Sequence, residues 1–188
     1  MAVQPVFERN FPSDRPLSWE DLQGIPDDRY AGYEIVEGTL IVSPSPDSRH
    51  QSCVGSLYLA LRAACPSDLK VFVAPYDYVP RPGYSLQRDV LVARRSEVGG
   101  QRLEHPPVLV VEVMSPSSRT TDRSLKRVVY EEHGVPHYWL VDPDGPSVVA
   151  RSLRGGQYVE VGSALGSEEW RAVEPFPVNI TPADLLDE

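Results

Sequence analysis

The stretch VLVVEVMSPSSRTTDRSLK, residues 108–126, contains the feature that decides the fold. Its first half is an apolar run typical of a strand buried on both faces, yet Glu112 stands inside that run. A buried carboxylate costs free energy unless it is protonated, paired with a cation or bound to a metal ion. The position of Glu112 therefore predicts a partner, and the candidates lie elsewhere in the chain.

The elements around this strand alternate between strands and helices. A helix is predicted from Thr120 or Thr121 to about His133, and the strand VPHYWLVDP follows it. A strand–helix–strand unit implies locally parallel pairing, so the sequence predicts an α/β fold with a mixed sheet. Before the Glu112 strand, the sequence predicts a hairpin in YEIVEGTLIVSP, a helix over 48–64, a strand with a proline interruption in KVFVAPYDYVP and a strand in QRDVLVARR. After VPHYWLVDP it predicts a hairpin from PSVVARSL to GQYVEVG and one short strand in the tail.

Length and charge set the broad limits. A chain of 188 residues suits one domain, and we expect residues 1–29 to form an arm with a short helix and residues 30–188 to form that domain. The N-terminal residues lack the pattern of a signal peptide, which predicts a cytoplasmic protein. A net charge of −9 argues against tight nonspecific DNA binding without help, although it leaves room for a local basic groove.

Asp89 is a candidate neighbour of Glu112, because it lies in the predicted strand before it. If the two strands pair, the two carboxylates can lie about 5 Å apart on one face of the sheet. Carboxylates that close repel unless a proton or a divalent cation lies between them. Oxygen ligands suit Mg²⁺ or Mn²⁺, and the carbonyl of Val113 can add a third ligand. The alternative is a glutamate that is partly exposed or paired with Lys or Arg, which is the commoner state of a lone strand glutamate.

Lys126 lies on the helix that follows the Glu112 strand. A lysine near such a site can orient water or stabilise negative charge on a phosphate, whereas a solvent-exposed lysine is the ordinary alternative. Asp122, one turn earlier, is placed to pair with it. Around them runs a basic strip that can contact phosphate or simply form a solvated helix face; its other members are Arg119, Arg123 and Arg127.

These residues together carry a resemblance to a known family. The order Asp89, Glu112 in an apolar strand and then a lysine resembles the PD-(D/E)xK nuclease superfamily. The segments YEIVEGTLIVSPSPDSRHQ, RDVLV and VVEVMSPSSRTTDRSLKRVVYEEHGVPHYWLVDP are similar to the bacterial family of restriction-endonuclease-like proteins over about residues 30–180. The resemblance implies a restriction-endonuclease-like fold, with a central mixed sheet flanked by helices.

Two departures from the superfamily pattern bear on the site. The proline of the Pro-Asp pair is replaced by Arg88, and the lysine of the Glu-x-Lys motif is replaced by Met114. Methionine cannot act on water or phosphate, and the family implies that the lysine comes from the helix instead, as Lys126.

Glu34 matches an acidic position of the family and is a candidate to complete the metal shell, the alternative being a surface carboxylate of the hairpin. His50 can touch the site or can be a capping or surface residue.

Three functions fit these residues. The first is a metal-dependent endonuclease that hydrolyses phosphodiester bonds in DNA, with Asp89, Glu112, Lys126 and Glu34 as catalytic residues and Mg²⁺ or Mn²⁺ as cofactor. The second is a non-catalytic nucleic-acid-binding or regulatory module, and the third a metal-dependent hydrolase of another substrate. The retained Asp89, Glu112 and Lys126 favour the first. A homodimer is expected, because two symmetric grooves can grip both strands of a duplex.

Overall fold

The computed structural model describes residues 11–23, 25, 31–115 and 125–186. Helices within those ranges are α1 (Trp19–Leu22), α2 (Ser48–Ala64) and α3 (Arg127–Glu132). The strands are β1 (Ala31–Val36), β2 (Thr39–Pro44), β3 (Leu69–Val73), β4 (Asp77–Tyr78), β5 (Leu86–Gln87), β6 (Val90–Arg94), β7 (Arg102–Leu103), β8 (Leu109–Val113), β9 (His137–Asp142), β10 (Ser147–Arg154), β11 (Gln157–Leu165), β12 (Trp170–Ala172) and β13 (Val178–Ile180).

A six-stranded sheet forms the centre of the molecule. Its strand order is β11-β10-β9-β8-β6-β3, and β8 pairs with β9 in parallel while the other neighbours are antiparallel. The parallel pair is the one joined through α3, as expected for a crossover connection. The predicted mixed sheet is therefore confirmed.

The two larger helices cover opposite faces of this sheet. Leu57 and Leu61 of α2 belong to a buried cluster with Val111 and Val113 of β8, whereas Tyr130 of α3 belongs to a second cluster on the other face. Val110 and Met114 belong to that second cluster, and alternate residues of a strand share a face. Glu112 therefore points towards α3.

The β1–β2 hairpin is a separate two-stranded sheet that is joined to the rest of the molecule by backbone hydrogen bonds. Ile35 and Ser85 exchange N–H···O bonds of 2.8 and 2.9 Å. The turn places Gly38 at φ +75°, where a Cβ would lie 2.4 Å from Cβ of Pro16, so only glycine fits there. The result is that Glu34 of β1 lies beside Gln87 of β5.

The strand predicted in QRDVLVARR is interrupted, and this is the main difference from the sequence-based prediction. β5 belongs to a small sheet with β4 and β7, and β6 begins only at Val90. Between them, the carboxylate of Asp89 accepts the backbone N–H of Val113 at 2.8 Å. A side chain thus satisfies the N–H that a continued strand would have paired.

Two further strand segments differ in detail from the prediction. The proline interruption predicted in KVFVAPYDYVP is present, but the two parts, β3 and β4, lie in different sheets. The tail contains two short strands, β12 and β13, where one was predicted. The hairpin β10–β11, the helix α2 and the strand β8 lie where the sequence placed them. No helix in the described ranges has the length and apolar character needed to cross a membrane.

Candidate active site

A pocket of about 270 Å³ lies at the end of β8. The titratable side chains that line it are Glu34 from β1, His50 from the first turn of α2, Asp89 ahead of β6, Glu112 from β8 and Lys126 ahead of α3. The side chains predicted as catalytic therefore line one pocket together with His50, although they come from five parts of the chain. Val113 also lines the pocket.

Four buried charged side chains form an ionic cluster in the wall of this pocket, made of Glu34, Arg88, Glu112 and Lys126; we call it the charge cluster. Their exposed fractions are 5%, 1%, 3% and 7%. The guanidinium of Arg88 donates to Oε1 of Glu112 and, at 2.6 Å, to Oε1 of Glu34. The ammonium of Lys126 lies 3.0 Å from Oε2 of Glu34 and 3.6 Å from Oε2 of Glu112. The two carboxylates thus face two cations, which is the pairing that buried charges require.

Neutral donors complete the cluster. The hydroxyl of Tyr130 donates to Oε1 of Glu112 at 2.7 Å, and the backbone N–H of Gln87 donates to Oε1 of Glu34 at 2.8 Å. The Arg88 guanidinium also lies over the Tyr130 ring, with Cζ 4.9 Å from the ring centroid. The interruption between β5 and β6 makes these contacts possible, because it turns Arg88 into the interior.

The charges in the cluster control the protonation of Glu34. Burial raises the pKa of this carboxyl group, but the nearby charges of Arg88 and Lys126 outweigh burial and hold the pKa below its usual value. Glu34 is therefore ionised at neutral pH. The alternative of a surface carboxylate on the hairpin is wrong for this residue, because Glu34 is buried.

Asp89 and His50 form a second group on the α2 side of the pocket. Nε2 of His50 lies 3.4 Å from Oδ1 of Asp89 and 3.0 Å from the carbonyl oxygen of Val113. Burial lowers the pKa of His50, but the hydrogen bond to Asp89, its negative charge and the Val113 carbonyl together leave that pKa raised. Asp89 and Glu112 therefore line one pocket while each carboxylate has its own partners.

Two residues of this site were missed by the sequence-based reasoning. Arg88 was noted only as the loss of a proline, and Tyr130 was not singled out. Both are buried and both contact Glu112. The signal for Arg88 was present in the sequence, since a buried glutamate needs a cation and an arginine directly precedes Asp89.

The proposed phosphate contacts are only partly within the described residues. Arg119, Arg123 and Asp122 lie outside those residues. Arg127 is the first residue of α3, and its guanidinium lies 3.4 Å from Glu131 one turn later. Its side chain is 39% exposed, so it remains accessible to a ligand.

The donors in the pocket fit a divalent cation in their chemistry. The carboxylates of Asp89 and Glu112 and the carbonyl of Val113 are hard oxygen ligands of the kind that Mg²⁺ and Mn²⁺ prefer. Within residues 11–23, 25, 31–115 and 125–186, no three side chains of His, Cys, Asp or Glu converge closely enough to hold a metal ion by themselves. A cation would therefore depend on the backbone carbonyl as well as on the two carboxylates.

Tyr130→Phe should lower the free energy of unfolding by about 1.5–3 kcal/mol, the usual contribution of a hydrogen bond to a charged group. The change removes the hydroxyl that donates to Glu112 and leaves the ring in place. Urea denaturation measures the difference. Tyr58→Phe on α2, away from the pocket, is the matched control and should be nearly neutral. An equal, small effect in both variants would contradict the assigned hydrogen bond.

A mixed sheet flanked by helices, with acidic residues and a lysine gathered at the end of a central strand, defines the class of restriction-endonuclease-like proteins. The model of the family described as "Uma2: Putative restriction endonuclease" matches residues 19–186, and the chain belongs to this family. Among solved structures, the chain is similar to a "putative nuclease belonging to DUF820" from Anabaena variabilis ATCC 29413. The TM-score is 0.69 at 18% identity, over 92% of this chain and 98% of that chain.

These comparisons confirm the restriction-endonuclease-like fold and the family resemblance. At 18% identity, the similarity to this solved structure indicates a shared fold and nothing more. The family supports a nuclease-like function, and members of the restriction-endonuclease-like group generally use divalent metal ions. No curated protein matches the chain.

Proposed function

We propose that this protein is a metal-dependent endonuclease that hydrolyses phosphodiester bonds in DNA. The observation that carries the proposal is the meeting of Lys126 with Glu112 and Glu34 at a pocket that Asp89 also lines. Position 114, where the superfamily pattern has a lysine, is a methionine in this chain. The ammonium of Lys126 instead lies 3.6 Å from Oε2 of Glu112. The family membership supports the reaction class.

The proposed roles follow from the chemistry of each group. Asp89, Glu112 and the carbonyl of Val113 would hold Mg²⁺ or Mn²⁺, which when bound polarises the phosphodiester and lowers the pKa of the attacking water. Lys126 provides a compact positive charge for a phosphate oxygen or the attacking water. Tyr130 and Arg88 hold the carboxylate of Glu112 in position, and Glu34 holds Lys126.

The proposed contact with DNA involves the basic residues that precede and follow Lys126 in the sequence. The Arg127 side chain is partly exposed, and with Arg119 and Arg123 it would contact the phosphate backbone, which gives affinity without sequence preference. A homodimer forms part of the proposal, because symmetric dimers are common and two pockets related by symmetry would face both strands of a duplex. The net charge of −9 makes such local basic contacts necessary for binding DNA.

Asp89→Asn is expected to lower plasmid cleavage in Mn²⁺ by about a hundredfold or more, because it removes a charged ligand and keeps the side-chain shape. Cleavage is followed by the conversion of supercoiled plasmid. Asp68→Asn is the matched control, since Asp68 is exposed and precedes β3 at the end remote from the pocket. Equal activity of Asp89→Asn and the wild type would contradict a role for Asp89.

One observation favours the non-catalytic module as a second candidate. Both carboxylates of the charge cluster are already neutralised by Arg88 and Lys126, which is a stable arrangement that needs no metal ion. Absence of cleavage by the wild type on duplex DNA, single-stranded DNA and RNA, together with retained DNA binding, would favour that candidate over the endonuclease.

A further inference from the structure

Arg88 provides a permanent positive charge at a place where the proposed cation needs negative charge. A guanidinium is not deprotonated in proteins, and this one is almost fully buried. It is held by Glu112, by Glu34 and by the face of the Tyr130 ring. Contacts on several sides hold the guanidinium in the interior, so its charge cannot easily move away from the site.

The charge balance of the cluster shows how the buried guanidinium of Arg88 affects the binding of a divalent cation. Glu34 and Glu112 carry two negative charges, and Arg88 and Lys126 carry two positive charges. The charge cluster is therefore electrically neutral. Of the two carboxylates proposed as ligands, Glu112 belongs to the cluster and Asp89 lies outside it, beside His50.

The contacts of the Glu112 oxygen atoms also oppose the binding of a metal ion. Oε1 accepts from both Arg88 and Tyr130, and Oε2 faces Lys126. A metal ion that binds this carboxylate has to compete with donors already in place. The guanidinium is the strongest of them, because it is charged and aligned with the acceptor.

We infer that Arg88 acts as an internal competitor of the divalent cation and keeps the affinity of the pocket for that cation low. The inference rests on the proposed function in that it concerns the same metal site. It adds that the residue standing in place of the superfamily's proline sets how tightly the cofactor binds. Removal of the guanidinium leaves Lys126 as the remaining cation of the charge cluster beside its two glutamates, and the pocket then attracts a divalent cation more strongly.

Mn²⁺ affinity measures this effect without any cleavage assay. Free Mn²⁺ is followed by electron paramagnetic resonance during titration of the wild type and of Arg88→Gln, which removes the charge and keeps a polar side chain. The dissociation constant of Arg88→Gln is expected to be lower by about tenfold or more, because a positive charge close to the cation is lost. Arg62→Gln, an exposed change at the far end of α2, removes the same charge from the protein and should leave the constant unchanged.

Thermal melts give an independent measurement. Without metal, Arg88→Gln should melt below the wild type, because two buried glutamates then share one cation. With saturating Mn²⁺ the rise in Tm should be larger in Arg88→Gln than in the wild type. If Arg88→Gln does not fold, the double variant Glu34→Gln, Arg88→Gln keeps the cluster neutral and is compared with Glu34→Gln alone.

The outcomes separate this inference from the proposed function. Equal or weaker Mn²⁺ binding by Arg88→Gln overturns the inference, and wild-type cleavage that depends on Asp89 would leave the proposed function standing. No Mn²⁺ binding by any variant, at concentrations that support nuclease assays, overturns both. Tighter binding by Arg88→Gln with no cleavage of any nucleic acid supports the inference and contradicts the proposed endonuclease.

Discussion

Lys126→Ala is expected to lower DNA cleavage to background while leaving Mn²⁺ binding in place. The ammonium lies beside Glu34 and Glu112 at the pocket, where its charge is available to a phosphate oxygen or an attacking water. An ammonium is not a metal ligand, so its removal takes away no donor to the cation. Removal of one positive charge from the neutral charge cluster should, if anything, strengthen the attraction for Mn²⁺.

The chain offers a close control for this variant. Lys70 is its other lysine, and it is exposed on β3. Lys70→Ala should cleave plasmid at the wild-type rate in the same assay. Lys126→Arg should also lose most activity, because a planar guanidinium does not replace a compact ammonium. Cleavage that survives in Lys126→Ala would exclude the lysine on the helix side as the replacement for the missing strand lysine.

A folding measurement has to accompany the assay, because Lys126 is also buried. Its loss leaves two buried carboxylates with Arg88 as their only charged partner in the cluster, and breaking a buried pair in this way costs about 3–5 kcal/mol. Circular dichroism at the assay temperature shows whether the variant is folded. A folded variant without cleavage separates the chemical role of Lys126 from its structural one.

The central part of the fold follows from the sequence because its signals are local. The apolar run of β8, the stripe of α2 and the strand after α3 each have a period that a sequence shows directly. The parallel pairing of β8 and β9 follows from the connection through a helix. The family resemblance then gives the restriction-endonuclease-like arrangement, which the comparisons confirm.

The partners of Glu112 were only half predictable, and the reason is geometric. In a continuous strand through residues 87–95, the register Val90–Val111 would put Asp89 opposite Glu112 and Arg88 on the other face. The interruption ahead of Val90 changes this, because Asp89 reaches the Val113 N–H and Arg88 reaches Glu112. No local pattern in the sequence marks that interruption.

The contacts of Lys126 and Glu34 could likewise not be predicted from local patterns in the sequence. Their roles depend on how α3 and the β1–β2 hairpin pack against the end of β8, and those contacts join residues far apart in the chain. The sequence indicates which residue types are available, while the resemblance indicates which of them belong together. The distances and the neutral balance of the charge cluster come from the packing alone.

Glu112→Gln should produce the largest loss of stability among the pocket variants that keep side-chain shape. The change removes the negative charge that Arg88 and Lys126 share and leaves Glu34 as the remaining anion of the charge cluster. Leaving a buried cation without its partner costs about 3–5 kcal/mol. In a chain of 188 residues this corresponds to a fall in Tm on the order of 10 °C.

A double-mutant cycle attributes that loss to the ion pair. Arg88→Gln alone leaves an excess anion and Glu112→Gln alone leaves an excess cation, whereas the double variant restores a neutral cluster. Residues in direct contact show non-additive effects of about 0.5–3 kcal/mol, so the double variant should be more stable than the sum of the single losses predicts. Urea denaturation of the four proteins, each without metal, gives the coupling energy. Strict additivity would mean that Arg88 and Glu112 do not stabilise one another, and the charge that allows Glu112 inside a buried strand would then have to come from Lys126.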